Sequence, residues 1–128
     1  MRAFKLVALV IAALLVSVVL RATAPQTTVP EQVIDIAAER FSFNPSEVRA
    51  TMGTTLRIRL TSDDTMHGFR IVGANVNVAI PKRNRGTAVV TFRPEKPGRY
   101  TFECSRLCGA GHSFMRGTLV VTEPEPGQ

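Results

Sequence analysis

Tryptophan is absent from this sequence, tyrosine occurs once, and cysteine and histidine occur twice each, as Cys104, Cys108, His67 and His112. Two cysteines four positions apart cannot staple a disulfide scaffold, because the loop they would close is tiny. Basic residues do not form a stripe interleaved with aromatics, which leaves no footprint of a nucleic-acid binder. No motif pairs a nucleophile with a general base, so nothing points to bond chemistry on a substrate. A chain of 128 residues has room for one core and a short extra segment. Apolar residues make up 45% of it, which argues against disorder.

Charge is unevenly placed. The net charge is +6, yet Arg2, Lys5 and Arg21 flank a hydrophobic segment and all ten acidic residues lie beyond it. The other 13 basic residues against those ten leave +3 for the rest of the chain. Lys82, Arg83 and Arg85 form one local basic loop, to be read as a solvated loop or as a docking patch.

Leu6 to Leu20 is an apolar run of 15 residues broken only by Ser17, preceded by Arg2 and Lys5 as in an export signal. As a helix it would span about 22 Å, short of a bilayer core of roughly 30 Å. Ala3 and Phe4 could lengthen it, with Lys5 and Arg21 snorkelling to the interfaces. Ala22-Thr23-Ala24 has the small residues of a cleavage site, but Pro25 directly after it restricts the extended backbone a peptidase needs. Residues 1–24 therefore read as an uncleaved membrane anchor or a removed signal peptide. Both place the remainder outside the cytoplasm, in the periplasm or on the outer face of the cytoplasmic membrane, or secreted if the segment is cleaved.

The remainder reads as all-β. Residues 25–32 form a polar linker, 33–123 one folded domain, and 124–128 an acidic, proline-containing tail. After the linker no stretch of helical period reaches ten residues, so the βαβ units of a thioredoxin-type fold are missing. Short alternating runs recur instead between turn residues. The expected strands are Val33 to Phe43, Glu47 to Ala50, Thr54 to Thr61, Gly68 to Val72, Val76 to Ile80, Thr87 to Phe92, Arg99 to Cys104 and Gly117 to Thr122. In the third, Leu56, Ile58 and Leu60 point inward and Arg57, Arg59 and Thr61 outward. About eight strands in so short a domain fit a two-sheet Greek-key β-sandwich.

Chemistry concentrates between the last two strands, in Cys104-Ser105-Arg106-Leu107-Cys108-Gly109-Ala110-Gly111-His112-Ser113-Phe114-Met115. Thiolate, imidazole and thioether together suit copper, soft sulfur favouring Cu(I) and a weak Met ligand tuning the potential. Gly109 and Gly111 are expected to let the backbone turn tightly enough to aim these groups inward. His67 ends the Asp63-Asp64-Thr65-Met66 turn and can close the same pole, so every Cys and His falls in one site. Met66 reads as a packing residue, and Phe69, Phe102 and Phe114 as a shield against water or as plain core. From the residues alone, a binuclear copper site competes with a mononuclear blue-copper site, a Cys2His2 zinc site and a Cys104–Cys108 disulfide.

Phe43-Asn44-Pro45, Met66-His67-Gly68-Phe69, Asn75-Val76-Asn77-Val78, Gly98-Arg99-Tyr100 and the Cys104 to Met115 loop with Gly117-Thr118 carry a resemblance. Over about two thirds of the chain, Phe41 to Glu123, it resembles the CuA domain of subunit II of haem-copper cytochrome oxidases. The bacterial forms with a single membrane anchor are the most similar. The resemblance implies a cupredoxin-like sandwich holding two copper ions. Cys104 and Cys108 would bridge them, with His67, His112, Met115 and the main-chain carbonyl of Arg106 as terminal ligands. It further implies an electron donor such as a c-type cytochrome, and the haem-copper oxidase subunit I as a partner. Larger relatives carry a Trp-rich donor site and a magnesium-binding Glu where Arg106 stands, and this chain has neither. A free-standing electron carrier and a copper-delivery protein therefore stay open beside the oxidase subunit.

Overall fold

The computed structural model describes residues 28–126. The expected hydrophobic N-terminal segment lies outside them; among the described residues no helix is long and apolar enough to cross a membrane. Alternation sets the strands. In Thr55–Ser62, Leu56, Ile58 and Leu60 are buried while Arg57, Arg59 and Thr61 are exposed, so one face of the strand meets the core and the other meets water. Ile34, Ile36 and Ala38 do the same on Glu31–Glu39.

Nine strands form among the described residues: β1 Glu31–Glu39, β2 Ser42–Asn44, β3 Glu47–Thr51, β4 Thr55–Ser62, β5 His67–Ile71, β6 Val76–Ile80, β7 Ala88–Phe92, β8 Gly98–Glu103 and β9 Arg116–Thr122. One sheet has the order β2-β1-β4-β7 and the other β3-β9-β8-β5-β6. β1 runs parallel to β4 and β3 parallel to β9, pairings that need crossovers between the sheets and give the sandwich its Greek-key character. The inner faces meet over Leu56, Leu60, Ile71 and Leu119, with Phe43, Phe69 and Phe102 interlocked at centroid separations of 5.3 to 5.8 Å.

The single first strand expected over Val33 to Phe43 is two. Ala37–Glu39 pairs with Ser42–Asn44 as a tight hairpin, and Arg40 and Phe41 at its tip leave the sheet. Both tip residues serve the pole where β4 hands over to β5 and β8 to β9. That pole gathers four connections, and the short turns near Gly53 and Pro94 lie at the other end.

Candidate metal centre

The Cys104 to Met115 loop is closed at its base by the sandwich itself. Cys104 N–H donates to the Met115 carbonyl at 3.0 Å, continuing the β8–β9 ladder one step past Glu103 and Arg116. Within the loop His112–Phe114 forms a short 3-10 turn, fastened by His112 N–H to the Gly109 carbonyl at 3.1 Å. Ser105 Oγ donates to Asn77 Oδ1 on β6 at 2.7 Å, tying the start of the loop to the neighbouring strand. His67 opens β5 opposite Ile80, fully buried, and so faces the loop from a fixed strand position.

The donor atoms converge. Cys104 Sγ lies 3.1 Å from the Arg106 carbonyl oxygen, 3.9 Å from His67 Nδ1 and 3.9 Å from Cys108 Sγ. Cys108 Sγ in turn lies 3.8 Å from His112 Nδ1 and 3.9 Å from Met115 Sδ. Both cysteines are free thiols, far beyond a disulfide bond of about 2.05 Å. Two donors that each bind an ion at roughly 2.0–2.3 Å stand no more than about 4.6 Å apart, and every one of these separations falls within that limit. The ligand atoms of His67, Cys104 and Cys108 all lie within 4.8 Å of one another. Soft sulfur, imidazole and one carbonyl around a buried point suit copper, and the residues present fit it.

Exposure grades across the site. His67, Cys104, Cys108 and Met115 are buried, His112 is half-buried, and the Arg106 side chain is exposed although its carbonyl faces inward. A surface recess of about 320 Å³, lined by Cys104, His112, Met115 and Arg116 among others, reaches the loop from the β8 side. His112 is therefore the imidazole nearest to solvent.

Sequence reasoning did not reach the groups that hold these donors in place. Asp64 Oδ1 is 2.7 Å from His67 Nε2, and its other oxygen accepts the Arg40 N–H at 3.1 Å. Burial alone would raise the Asp64 carboxyl, but hydrogen bonds from His67, Thr65 N–H and Arg40 N–H outweigh it and hold the carboxyl below its ordinary range. An ionised Asp64 can only accept, so His67 Nε2 carries the proton and Nδ1 is left bare towards the thiols. The Arg40 side chain reaches further, Nε donating to the Cys108 carbonyl at 2.7 Å. Asp64 was legible only as part of a turn; Arg40 sits 68 residues from Cys108 and left no local signal.

Burial, then the nearby Cys104, pushes the Cys108 thiol up to about 11. Metal binding must displace that proton, so loading is favoured as pH rises.

Three expectations need correction. Met66 is not packed away: it is exposed at 46%, with Arg106 Nη1 at 3.9 Å from its sulfur. Phe114 does not shield the site, being 79% exposed, because the 3-10 turn swings it outward; Phe69 and Phe102 are core. Of the two loop glycines only Gly109 needs glycine's backbone freedom, at φ 144. Gly111 has an ordinary φ of −90 and serves as space, since a Cβ there would enter the Phe41 ring. Gly68 is a further close approach the sequence did not disclose: a Cβ there would stand 2.8 Å from the Arg106 nitrogen.

Known proteins share this arrangement of strands. The cupredoxin-like domain family matches residues 8–121. Over 98 residues the chain is 34% identical to two cytochrome c oxidase subunit 2 sequences of Thermus thermophilus. The match covers 77% of this chain and 71% and 57% of theirs. The periplasmic domain of subunit II of cytochrome oxidase of Bradyrhizobium japonicum superposes with a TM-score of 0.66 at 17% identity, over 79% of this chain and 88% of that one. With a cupredoxin-like match over most of its length and this level of identity, the chain belongs to the cytochrome c oxidase subunit II family.

Proposed function

We propose that this chain is the electron-accepting subunit of a haem-copper terminal oxidase, holding two copper ions in a CuA centre. The observation that carries the proposal is the unbroken set of separations of 3.9 Å or less from the Arg106 carbonyl and His67, through both thiols, to His112 and Met115. Cys104 and Cys108 would hold the ions through their thiolates, and His67, His112, Met115 and the Arg106 carbonyl would supply the remaining ligands. Copper would supply one-electron carriage between Cu(I) and Cu(II).

The chain's own residues do the rest. Asp64 fixes the tautomer of His67, and a carboxylate in that position holds the ring through both oxidation states. The Cys104–Met115 backbone bond and the Ser105–Asn77 bond fix the loop at both ends. Burial of both thiols excludes water. A frame that moves little on reduction is what fast electron transfer needs. Residues 1–24 would hold the domain on the outer, periplasmic side of a membrane, with a linker that ends where β1 begins at Glu31, the copper domain running from there to 123, and 124–128 as tail. Its donor would be a c-type cytochrome or similar carrier, and subunit I the acceptor.

The test is metal content and electron spin resonance of the full chain in detergent. Two coppers per chain with one unpaired electron shared over both nuclei is the expected result, lost in Cys104→Ser. One copper with a single-nucleus hyperfine pattern, unaffected by Cys104→Ser, would replace this reading with a mononuclear blue-copper carrier.

A further inference from the structure

The metal pole carries an apolar patch with a basic rim. Among the described residues, the exposed large hydrophobics bigger than valine are Phe41, Met66, Leu107 and Phe114, at 37%, 46%, 84% and 79% exposure. All four belong to this pole. Leu107 and Phe114 lie in the copper loop, Met66 precedes His67, and the Phe41 ring rests against Gly109 and Gly111. Scattered exposed apolar residues need no explanation, but four converging on one electron-transfer site do.

Six exposed cations surround them: Arg40, Lys82, Arg83, Arg85, Arg106 and Arg116. The β6–β7 turn brings Lys82, Arg83 and Arg85 to this pole, since Arg83 N–H donates to the Asp64 carbonyl at 3.2 Å. The ion pairs among the described residues join Arg49 and Arg99 to Glu47, Arg59 to Asp35, Arg70 to Glu103 and His67 to Asp64, and none uses any of the six. The carboxylates nearby are Glu39, Asp63, Asp64 and Glu103, of which Asp64 is committed to His67 and the Arg40 N–H and Glu103 to Arg70. At the opposite pole Glu31, Glu95, Glu123 and Glu125 face Arg57, Arg93, Lys96 and Arg99, so charges there are nearly balanced. The surplus of positive charge therefore sits mainly at the site.

We infer that this pole is the docking surface for a protein electron donor whose own redox centre sits in an apolar patch rimmed by carboxylates. The inference rests on the electron-accepting reading above and narrows its partner. The apolar patch would give close contact over the copper loop, and the cations would orient the acidic donor and speed encounter. A donor with a lysine rim would be repelled by the same field.

The experiment is stopped-flow reduction of the copper-loaded full chain in detergent by two forms of one carrier. These are reduced basic cytochrome c, and the same cytochrome with its lysines succinylated so that its charge is inverted. At an ionic strength of about 10 mM the acidic form should react at least about tenfold faster, with the gap closing above about 300 mM. The triple variant Lys82→Glu, Arg83→Glu, Arg85→Glu should invert the preference. Equal rates, or a faster basic form, with full reduction by dithionite, would overturn the docking surface and leave the electron-accepting reading standing. Failure of dithionite to reduce the centre would overturn both. Equal donor rates together with sedimentation on phosphatidylglycerol vesicles, abolished in the triple variant, would reassign the patch to a membrane surface.

Discussion

The two poles of the sandwich are built from the same strands and held in different ways. At the far pole the turns are fastened mainly by backbone bonds, Gly53 N–H to the Pro94 carbonyl, Met52 N–H to Thr122 and Thr55 N–H to Pro30, each at 2.8 Å, with Arg93 and Tyr100 adding one side-chain bond each to the Gly53 and Lys96 carbonyls. At the metal pole side chains do much of the fastening: Asp64 to His67, Arg40 to Cys108 and Ser105 to Asn77. Backbone bonds tolerate almost any side chain, so the far pole needs little beyond strand pattern and turn glycines. The metal pole depends on named residues from three separate connections and from β5 and β6. Changes there should damage the site more than the fold, and changes at the far pole the reverse.

The largest effect should come from Gly68. Its missing Cβ is what lets Ser105 and Arg106 lie against β5, and an alanine would place an atom 2.8 Å from the Arg106 nitrogen and 3.0 Å from the Ser105 carbonyl carbon. Both are backbone atoms and cannot rotate away. Gly68→Ala should lower stability by about 1–3 kcal/mol as an overpacked site and push the loop off His67, with copper retention lost. Gly73, where nothing lies within 4 Å but φ is +80, supplies the contrast: Gly73→Ala should cost stability through backbone strain alone and keep the copper spectrum. Denaturant titration and visible absorption of both variants separate the two outcomes. Full copper retention by Gly68→Ala would mean that the loop is not seated by this contact.

A smaller loss is expected at Asp64. Asp64→Asn keeps the shape and removes the ionised acceptor, so His67 is no longer held to one tautomer by charge. Copper affinity should fall by roughly 10–100-fold, the range for partners that orient a metal-bound imidazole. Competition with a chelator measures it. An unchanged affinity would show that burial alone orients His67.

Legibility in the sequence followed the same division between poles. The strands could be read because a half-buried strand must alternate, as β4 does from Leu56 to Leu60, and β6 came out with the bounds Val76–Ile80 that its pattern suggested. The grouping of Cys104, Cys108, His112 and Met115 could be read because it is local. What brings Arg40 and Phe41 to that loop is a hairpin tip in the other sheet, and no periodicity encodes a contact across 68 residues. Phe41 was hidden for a further reason: inside an apparently continuous strand nothing marked it as a hairpin tip. The outward swing of Phe114 depends on a short 3-10 turn, which three residues cannot announce.

The finest test of the comparison is a matched pair of arginines. Arg40 Nε donates to the Cys108 carbonyl at 2.7 Å at the metal pole, and Arg93 Nε donates to the Gly53 carbonyl at 2.9 Å at the far one. Both are single side-chain bonds to a loop carbonyl, and both residues are exposed. Each should contribute only about 0.5–1.5 kcal/mol, so Arg40→Ala and Arg93→Ala should look alike in denaturant titration. Their effects on the centre should differ. The Arg40 cation sits beside Cys108, where it favours the charged thiolate, whereas Arg93 is at the other end of the sandwich. Removing Arg40 takes positive charge away from a centre that gains an electron, which disfavours the reduced form. Arg40→Ala should therefore lower the reduction potential, and Arg93→Ala should leave it unchanged. Protein-film voltammetry of the two variants decides the matter. Equal potentials alongside equal stabilities would make Arg40 a fastener like Arg93, and the electrostatic difference between the poles would then lie in the other rim cations alone.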